Sequence, residues 1–426
     1  SEDIGERRSR PPSGNSRHRP YPASGRIDGR RILFARPGLR RSYVISICEV
    51  VRDGAACHIG VEIGVPSRKH HVPEAGFMKS EAIVEYGAPL QLVDSDTPQP
   101  QGTEVLLKVT HCGVCHSDVH IHDGYFDMGG GNKLDVRAGR KLPFTLGHEI
   151  EGEVIATGPD AGEIEIGTQR VAYPWIGCGE CPTCNRGDEH LCNKPRALGI
   201  QVAGGYATHV LVPHPRYLLD YSGVAEGLAA TYMCSGLTAY SAMKKLGDIS
   251  AEERVMVVGL GGVGMMGLQF AKALFPSAPL GADVDENKLQ SARGAGAHEV
   301  YNPKDAEAIK KVLADTNGGV PAAVDFVGSE ASLKFASSVV RKGGKVIVVG
   351  LFGGGFSMPI PLFPMRAISI GGSYVGSLDE TKEMMELVKA GKIDPIPVSE
   401  RPLGEGSKSL DDLRNGSVMG RVVLKP

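Results

Sequence analysis

Cys178, Cys181, Cys184 and Cys192 follow a C-x2-C-x2-C-x7-C spacing within GCGECPTCNRGDEHLC, where glycine and proline let the backbone wrap around one point. Four thiolates so spaced fit a closed tetrahedral zinc site. Such a site has no open position, so its task is structural. Disulfide pairing of the same residues conflicts with the reducing compartment inferred below. Cys115, His148 and Cys234 lie far apart, and each alone reads as core or as a satisfied polar group. Their contexts are more telling: CHSDVH follows a strand, GHE follows KLPFTL, and CSGLT stands where one half of the chain hands over to the next. Two thiolates and an imidazole leave one tetrahedral position for water or substrate, the ligand set of a catalytic zinc.

A third signal is VMVVGLGGVG, an apolar strand running into Gly259, Gly261, Gly262, Val263 and Gly264. Glycines there permit a tight turn, close approach of backbone to a pyrophosphate, and close packing of the next helix, whose N-terminus faces the anion. Asp283 follows Gly264 by nineteen residues, at the end of the next apolar run. A carboxylate there bonds an adenosine ribose and repels a 2′-phosphate, so NAD is favoured over NADP. Zinc with an open position beside a nicotinamide is what alcohol oxidation requires.

Two kinds of element must position these groups. From Ala82 to Leu219, short β-like runs (104–110, 150–157, 207–212) alternate with Gly/Pro turns, predicting a barrel-like β domain. From Thr231, strands (254–259, 280–284, 322–327, 345–350) alternate with helices (263–274, 286–294), predicting a parallel sheet with helices on both faces. The last fifty or so residues return to mixed β character, which assigns 78–230 and 373–426 to the β domain and 231–372 to the nucleotide domain. Residues 1–77 carry 13 Arg and 1 Lys against 8 acidic residues within a Pro/Gly/Ser-rich stretch. That segment lacks periodic apolar surface and is expected to be a disordered extension. The chain's 426 residues and net charge of −2 suit two domains and give no sign of nucleic-acid or membrane partners chosen by bulk charge. With no apolar run near the length of a membrane span and no signal-peptide pattern, a cytoplasmic location with reduced cysteines is expected.

GVCHSDVH, LPFTLGHEIEGEV, the four-cysteine loop, MCSGLTAY, VVGLGGVG and the closing GRVVL, in order from Met78 to the C-terminus, resemble the zinc-dependent medium-chain alcohol dehydrogenases. The likeness is strongest to microbial tetramers acting on primary and secondary alcohols. It implies a GroES-like β-barrel catalytic domain joined to a Rossmann doubly wound coenzyme domain, two zinc ions per chain, NAD, and a homotetramer or dimer. Position by position it makes Cys115, His148 and Cys234 the catalytic zinc ligands, with Glu149 a carboxylate able to approach the zinc. Ser117 corresponds to the hydroxyl on the substrate oxygen, and His120 to the solvent end of a proton relay through the nicotinamide ribose. His116 and Arg421 fall near the pyrophosphate, Asp283 and Lys288 at the adenosine ribose, Leu351 at the carboxamide, and Trp175 in the substrate cleft. The glycine-rich segment 125–140 departs from the common pattern. A polyol or amino-alcohol (threonine-type) dehydrogenase is the neighbouring possibility. A zinc-ribbon nucleic-acid binder is disfavoured by Glu180, Asp188 and Glu189 around the cysteines. A silent nucleotide binder would lack the Ser117 and His120 pair.

Overall fold

The computed structural model describes residues 24–27, 30–33 and 76–426. Ser24–Ile27 and Arg30–Leu33 form an antiparallel pair of their own, in register from Ser24 opposite Leu33 to Ile27 opposite Arg30. The rest of the expected extension, up to residue 75, lies outside the described residues.

The nucleotide half is a six-stranded sheet, all parallel, in the spatial order Glu299–Tyr301, Leu280–Ala282, Met256–Val258, Val320–Asp325, Val340–Val348, Ser369–Gly372. Numbered along this half, that order is 3-2-1-4-5-6, the doubly wound arrangement in which ligands bind where the strand order reverses. The central strands are buried on both faces, so their sequences read as uninterrupted apolar runs. Helices Gly262–Leu274 and Glu286–Gly294 form the crossovers beside the first strand.

The β half centres on two long antiparallel strands, Val105–Gly113 and Glu149–Thr157. His209–Val212 and the C-terminal strand Arg421–Lys425 share the other edge of Val105–Gly113, with Leu424 opposite Cys112. The last residues of the chain thereby complete a sheet begun some three hundred residues earlier. Phe77–Ile83 belongs to a second sheet, with Gln91–Asp96 and Phe144–Thr145.

The C-terminal stretch expected as mixed β also contains two helices, Leu378–Lys389 and Gly406–Arg414. The first begins with a capping box in which Ser377 and Glu380 each satisfy the other's backbone N–H. Segment 125–140 folds as a hairpin of Tyr125–Gly129 with Asn132–Asp135. Among the described residues no helix is long and apolar enough to cross a membrane.

Candidate active site

Three elements bring the scattered ligand candidates together. Cys115 stands two residues beyond the strand Val105–Gly113 and caps helix His116–Asp123, His148 immediately precedes Glu149–Thr157, and Cys234 lies on Tyr232–Gly236. That last segment is a π-type turn within the helical run 228–244, the kind of local widening that re-aims a side chain at a functional site. The three ligand atoms lie within 4.8 Å of one another, and all three residues are buried. The Cys115 and Cys234 sulfurs are 3.9 Å apart, close to the roughly 3.8 Å edge of a tetrahedron with ~2.3 Å zinc–sulfur bonds. Cys115 is the first of the two thiols to ionise. Chiefly the hydrogen bond from Cys234 holds it well below its ordinary value, with His148 adding to the effect. Nε2 of His148 is buried without a partner, an orphan that a metal ion would satisfy. The residues therefore fit zinc.

Asp118, to which the sequence motif gave no role, organises this cluster. It is fully buried and accepts from Nδ1 of His148 at 3.2 Å, from the Cys115 N–H at 2.9 Å, from the Tyr206 hydroxyl at 3.1 Å and, at 3.4 Å, from the Gly147 N–H. A carboxylate on Nδ1 fixes the tautomer that leaves Nε2 free to bind a metal. Its only sequence signal was an acid in the first turn of a helix, which reads as ordinary capping.

Glu149 lies outside the three-ligand cluster. Its carboxylate accepts from the Arg421 guanidinium at 2.6 and 2.7 Å and from the Ser235 hydroxyl and N–H at 2.7 and 3.2 Å. The ion pair is buried, and it ties the strand of His148 to the segment of Cys234 and to the C-terminal strand. Arg421 also reaches the glycine turn: a Cβ on Gly262 would meet its Cδ at 2.8 Å, and its Nε is buried without a partner.

At the nucleotide turn a Cβ on Gly264 would fall 1.7 Å from the Gly259 carbonyl oxygen, so strand and helix can close only on glycine. A Cβ on Gly261 would meet nothing, because that backbone faces open space. Asp283 accepts from the Leu260 N–H at 2.7 Å and from the Asp285 N–H at 3.0 Å, which holds its carboxylate at the turn. One cleft of about 550 Å³ joins these regions. Cys115, Cys234, His116, Ser117 and His120 line it together with Gly259, Gly261, Gly262, Val263 and Gly264, and so do Asp283, Lys288, Leu351 and Arg421. Trp175 also borders it, edge-on to His148 at 5.4 Å, with Nε1 donating to the Met233 carbonyl. His148 and Glu149 stand behind this lining.

The four-cysteine loop forms a second cluster whose sulfurs lie within 4.8 Å of one another, with Cys178–Cys184 and Cys181–Cys192 both 3.8 Å apart. Glu189, between the third and fourth cysteines, anchors the loop: it accepts from the Gly177 N–H, the Tyr217 hydroxyl and Arg216. Cys181→Ser should lower the melting temperature by ~5 °C or more and remove one zinc, since the closed site stabilises a loop and touches no cleft residue. Full thermal stability with lost turnover would contradict a structural role.

Known proteins agree with this architecture. The alcohol dehydrogenase GroES-like domain family matches residues 101–221, and the zinc-binding dehydrogenase family matches 262–390. An NAD-dependent alcohol dehydrogenase of Sulfurisphaera tokodaii is 38% identical over 351 residues, 82% of this chain and 100% of its own length. An alcohol dehydrogenase of Geobacillus stearothermophilus is 32% identical over 82% of this chain and 99% of its own. The crystal structure of the alcohol dehydrogenase of Aeropyrum pernix, 30% identical, superposes with a TM-score of 0.74 over 82% of this chain and 100% of that one. The fold and the two cysteine clusters define a two-domain zinc-binding dehydrogenase. The chain belongs to the zinc-binding medium-chain alcohol dehydrogenase family.

Proposed function

We propose that this protein is a cytoplasmic, zinc-dependent dehydrogenase that transfers hydride between a primary or secondary alcohol and NAD, working as a homotetramer. The carrying observation is that one cleft joins the Cys115, His148 and Cys234 cluster to the glycine turn and Asp283. The names of the relatives, NAD-dependent alcohol dehydrogenases at up to 38% identity, support the choice of coenzyme and substrate class.

Cys115, His148 and Cys234 would hold a zinc ion that supplies Lewis acidity, and the glycine turn with Asp283 would hold the NAD that supplies the hydride acceptor. The protein's own groups do the rest. Asp118 orients His148, while Glu149 and Ser235 hold the Cys234 segment in place. Ser117 would accept the hydroxyl proton at its Oγ, and His120, lining the same cleft, would hold that proton at the solvent end of the relay. Burial, reinforced by neighbouring His116, pushes the His120 imidazole below its ordinary value, so at neutral pH it is the free base a proton acceptor must be. Arg421, His116 and the turn glycines, which line the cleft, would hold the pyrophosphate, and Lys288 with Asp283 would hold the adenosine ribose. Leu351 would offer main chain to the carboxamide, and Trp175 would wall the substrate side.

Purified protein assayed by nicotinamide absorbance with NAD or NADP tests the reading, using straight-chain, branched and aromatic alcohols beside a diol and threonine. Turnover confined to the diol or to threonine would move the assignment to a polyol or amino-alcohol dehydrogenase. Light scattering separates tetramer from dimer. His120→Ala should slow alcohol oxidation about 10-fold at neutral pH, the low end of general-base contributions. The deficit should shrink as hydroxide replaces the imidazole at high pH, with zinc content unchanged. An equal deficit at every pH would make His120 structural. Asp283→Gly should weaken NAD binding roughly 10- to 100-fold, the worth of a charge-assisted bond. It also frees the Leu260 N–H, which affects both coenzymes, so the ratio of NAD to NADP affinity is the decisive measurement. An unchanged ratio would mean that the acid does not face the ribose.

A further inference from the structure

The hairpin Tyr125–Asp135 is separated only by Gly124 from the helix that carries Ser117 and His120. The Phe126 ring lies against the His120 imidazole, with centroids 4.5 Å apart and planes tilted by 31°. Tyr125 and Asp127, on either side of it, line the same cleft as His120 and Phe352. The turn end of the hairpin crosses the coenzyme-side loop backbone to backbone. A Cβ on Gly129 would fall 2.6 Å from Cα of Gly354, and one on Gly353 would fall 2.8 Å from the Asp127 carbonyl oxygen. That loop is itself fastened to the end of the strand Val320–Asp325, with the Phe352 N–H donating to Val327 and the Gly353 N–H to Gly328. A chain of contacts therefore runs from the coenzyme sheet through paired glycines and the hairpin to one face of the imidazole.

We propose that Phe126 is a positioning residue that holds the His120 imidazole in the cleft, and that the hairpin keeps it there by crossing the coenzyme-side loop at Gly353 and Gly354. The inference rests on the reading of His120 as the end of the proton relay. An aromatic face packed on the imidazole limits its rotation and excludes water from one side, which serves a relay that needs one donor–acceptor geometry. The charged and titratable groups around His120 are His116, Asp123 and Cys115 from its own segment, Arg414 from the helix Gly406–Arg414, and Tyr125 and Asp127 from the hairpin. Substitution of Phe126 alters none of them.

Phe126→Ala should lower turnover at neutral pH about 3- to 10-fold, the range spanned by a lost aromatic contact. The deficit should close at alkaline pH, and Phe126→Tyr should restore wild-type rates. Gly129→Ala, which must push the hairpin off Gly354, should reproduce the pH-dependent deficit without touching the imidazole. Added to His120→Ala, Phe126→Ala should cost nothing more, since a residue acting through another has no effect once that other is gone. Independently of turnover, carbethoxylation of His120 in the coenzyme-free protein, read by peptide mass spectrometry, should be faster in Phe126→Ala. Additive losses in the double variant, or one deficit at all pH values, would overturn the positioning role. A His120→Ala variant with normal rates would instead overturn the relay itself, which keeps the two failures apart.

Discussion

Cys115→Ser is expected to leave one zinc ion per chain where the wild-type protein has two, and to lower turnover by at least about a thousandfold. Among the described residues the cluster has three protein ligands, so losing one thiolate leaves a bidentate site that cannot compete with buffer for the ion. Cys115 supplies one of the two thiolates of the cluster, so its removal halves the anionic charge that the ligands offer a dication. A Lewis acid contributes several kcal/mol to the barrier, and ~4 kcal/mol corresponds to roughly a thousandfold in rate. Melting temperature should fall far less than in Cys181→Ser, because the helix that Cys115 caps is packed independently of the ion by Val119 and Ile121. Two zinc ions retained per chain, or activity within tenfold of wild type, would remove Cys115 from the metal site.

The contrast between the two cysteine clusters also explains what the sequence could disclose. Four thiolates within fifteen residues announce a site because local spacing alone brings them together. Cys115 and Cys234 are 119 positions apart, and only the fold places their sulfurs 3.9 Å from each other. The nucleotide half was legible for a related reason: doubly buried parallel strands read as unbroken apolar runs, and the helix Glu286–Gly294 has the limits its pattern predicts. The hairpin Tyr125–Asp135 was not. Its second strand is exposed along its whole length, so no burial constraint imposes alternation on its residues, and Gly129 crosses Gly354, more than two hundred residues away. The two C-terminal helices were missed because β runs flank them closely. The pair of Glu149 with Arg421, 272 positions apart, leaves no local trace, since each residue alone looks like an ordinary surface charge.

Asp118 is the most consequential residue of this hidden kind, and Asp118→Asn is expected to weaken zinc binding at the Cys115, His148 and Cys234 cluster by about 10- to 100-fold, the usual cost of losing a carboxylate behind a ligating histidine. The carboxylate only accepts, and it faces four donors: Nδ1–H of His148, the Cys115 and Gly147 N–H groups and the Tyr206 hydroxyl. An asparagine carries one oxygen and one NH2 in the same space. If the NH2 faces His148, Nδ1 must become an acceptor, the ring proton moves to Nε2, and the atom that should bind metal becomes a donor. If the amide is flipped, the NH2 confronts the Cys115 N–H and the Tyr206 hydroxyl, and the cap of the helix carrying Ser117 and His120 is lost. Either arrangement is penalised because the site is fully buried and no water can compensate. The measurement is the rate at which a chromogenic chelator removes zinc. One ion per chain should leave Asp118→Asn much faster than wild type, while the ion in the four-cysteine loop leaves at the wild-type rate. Asp118→Glu, which keeps the acceptor but not its reach, should fall between the two. Wild-type zinc retention in Asp118→Asn, with turnover alone reduced, would mean that the backbone fixes the His148 ring and that Asp118 serves the helix cap.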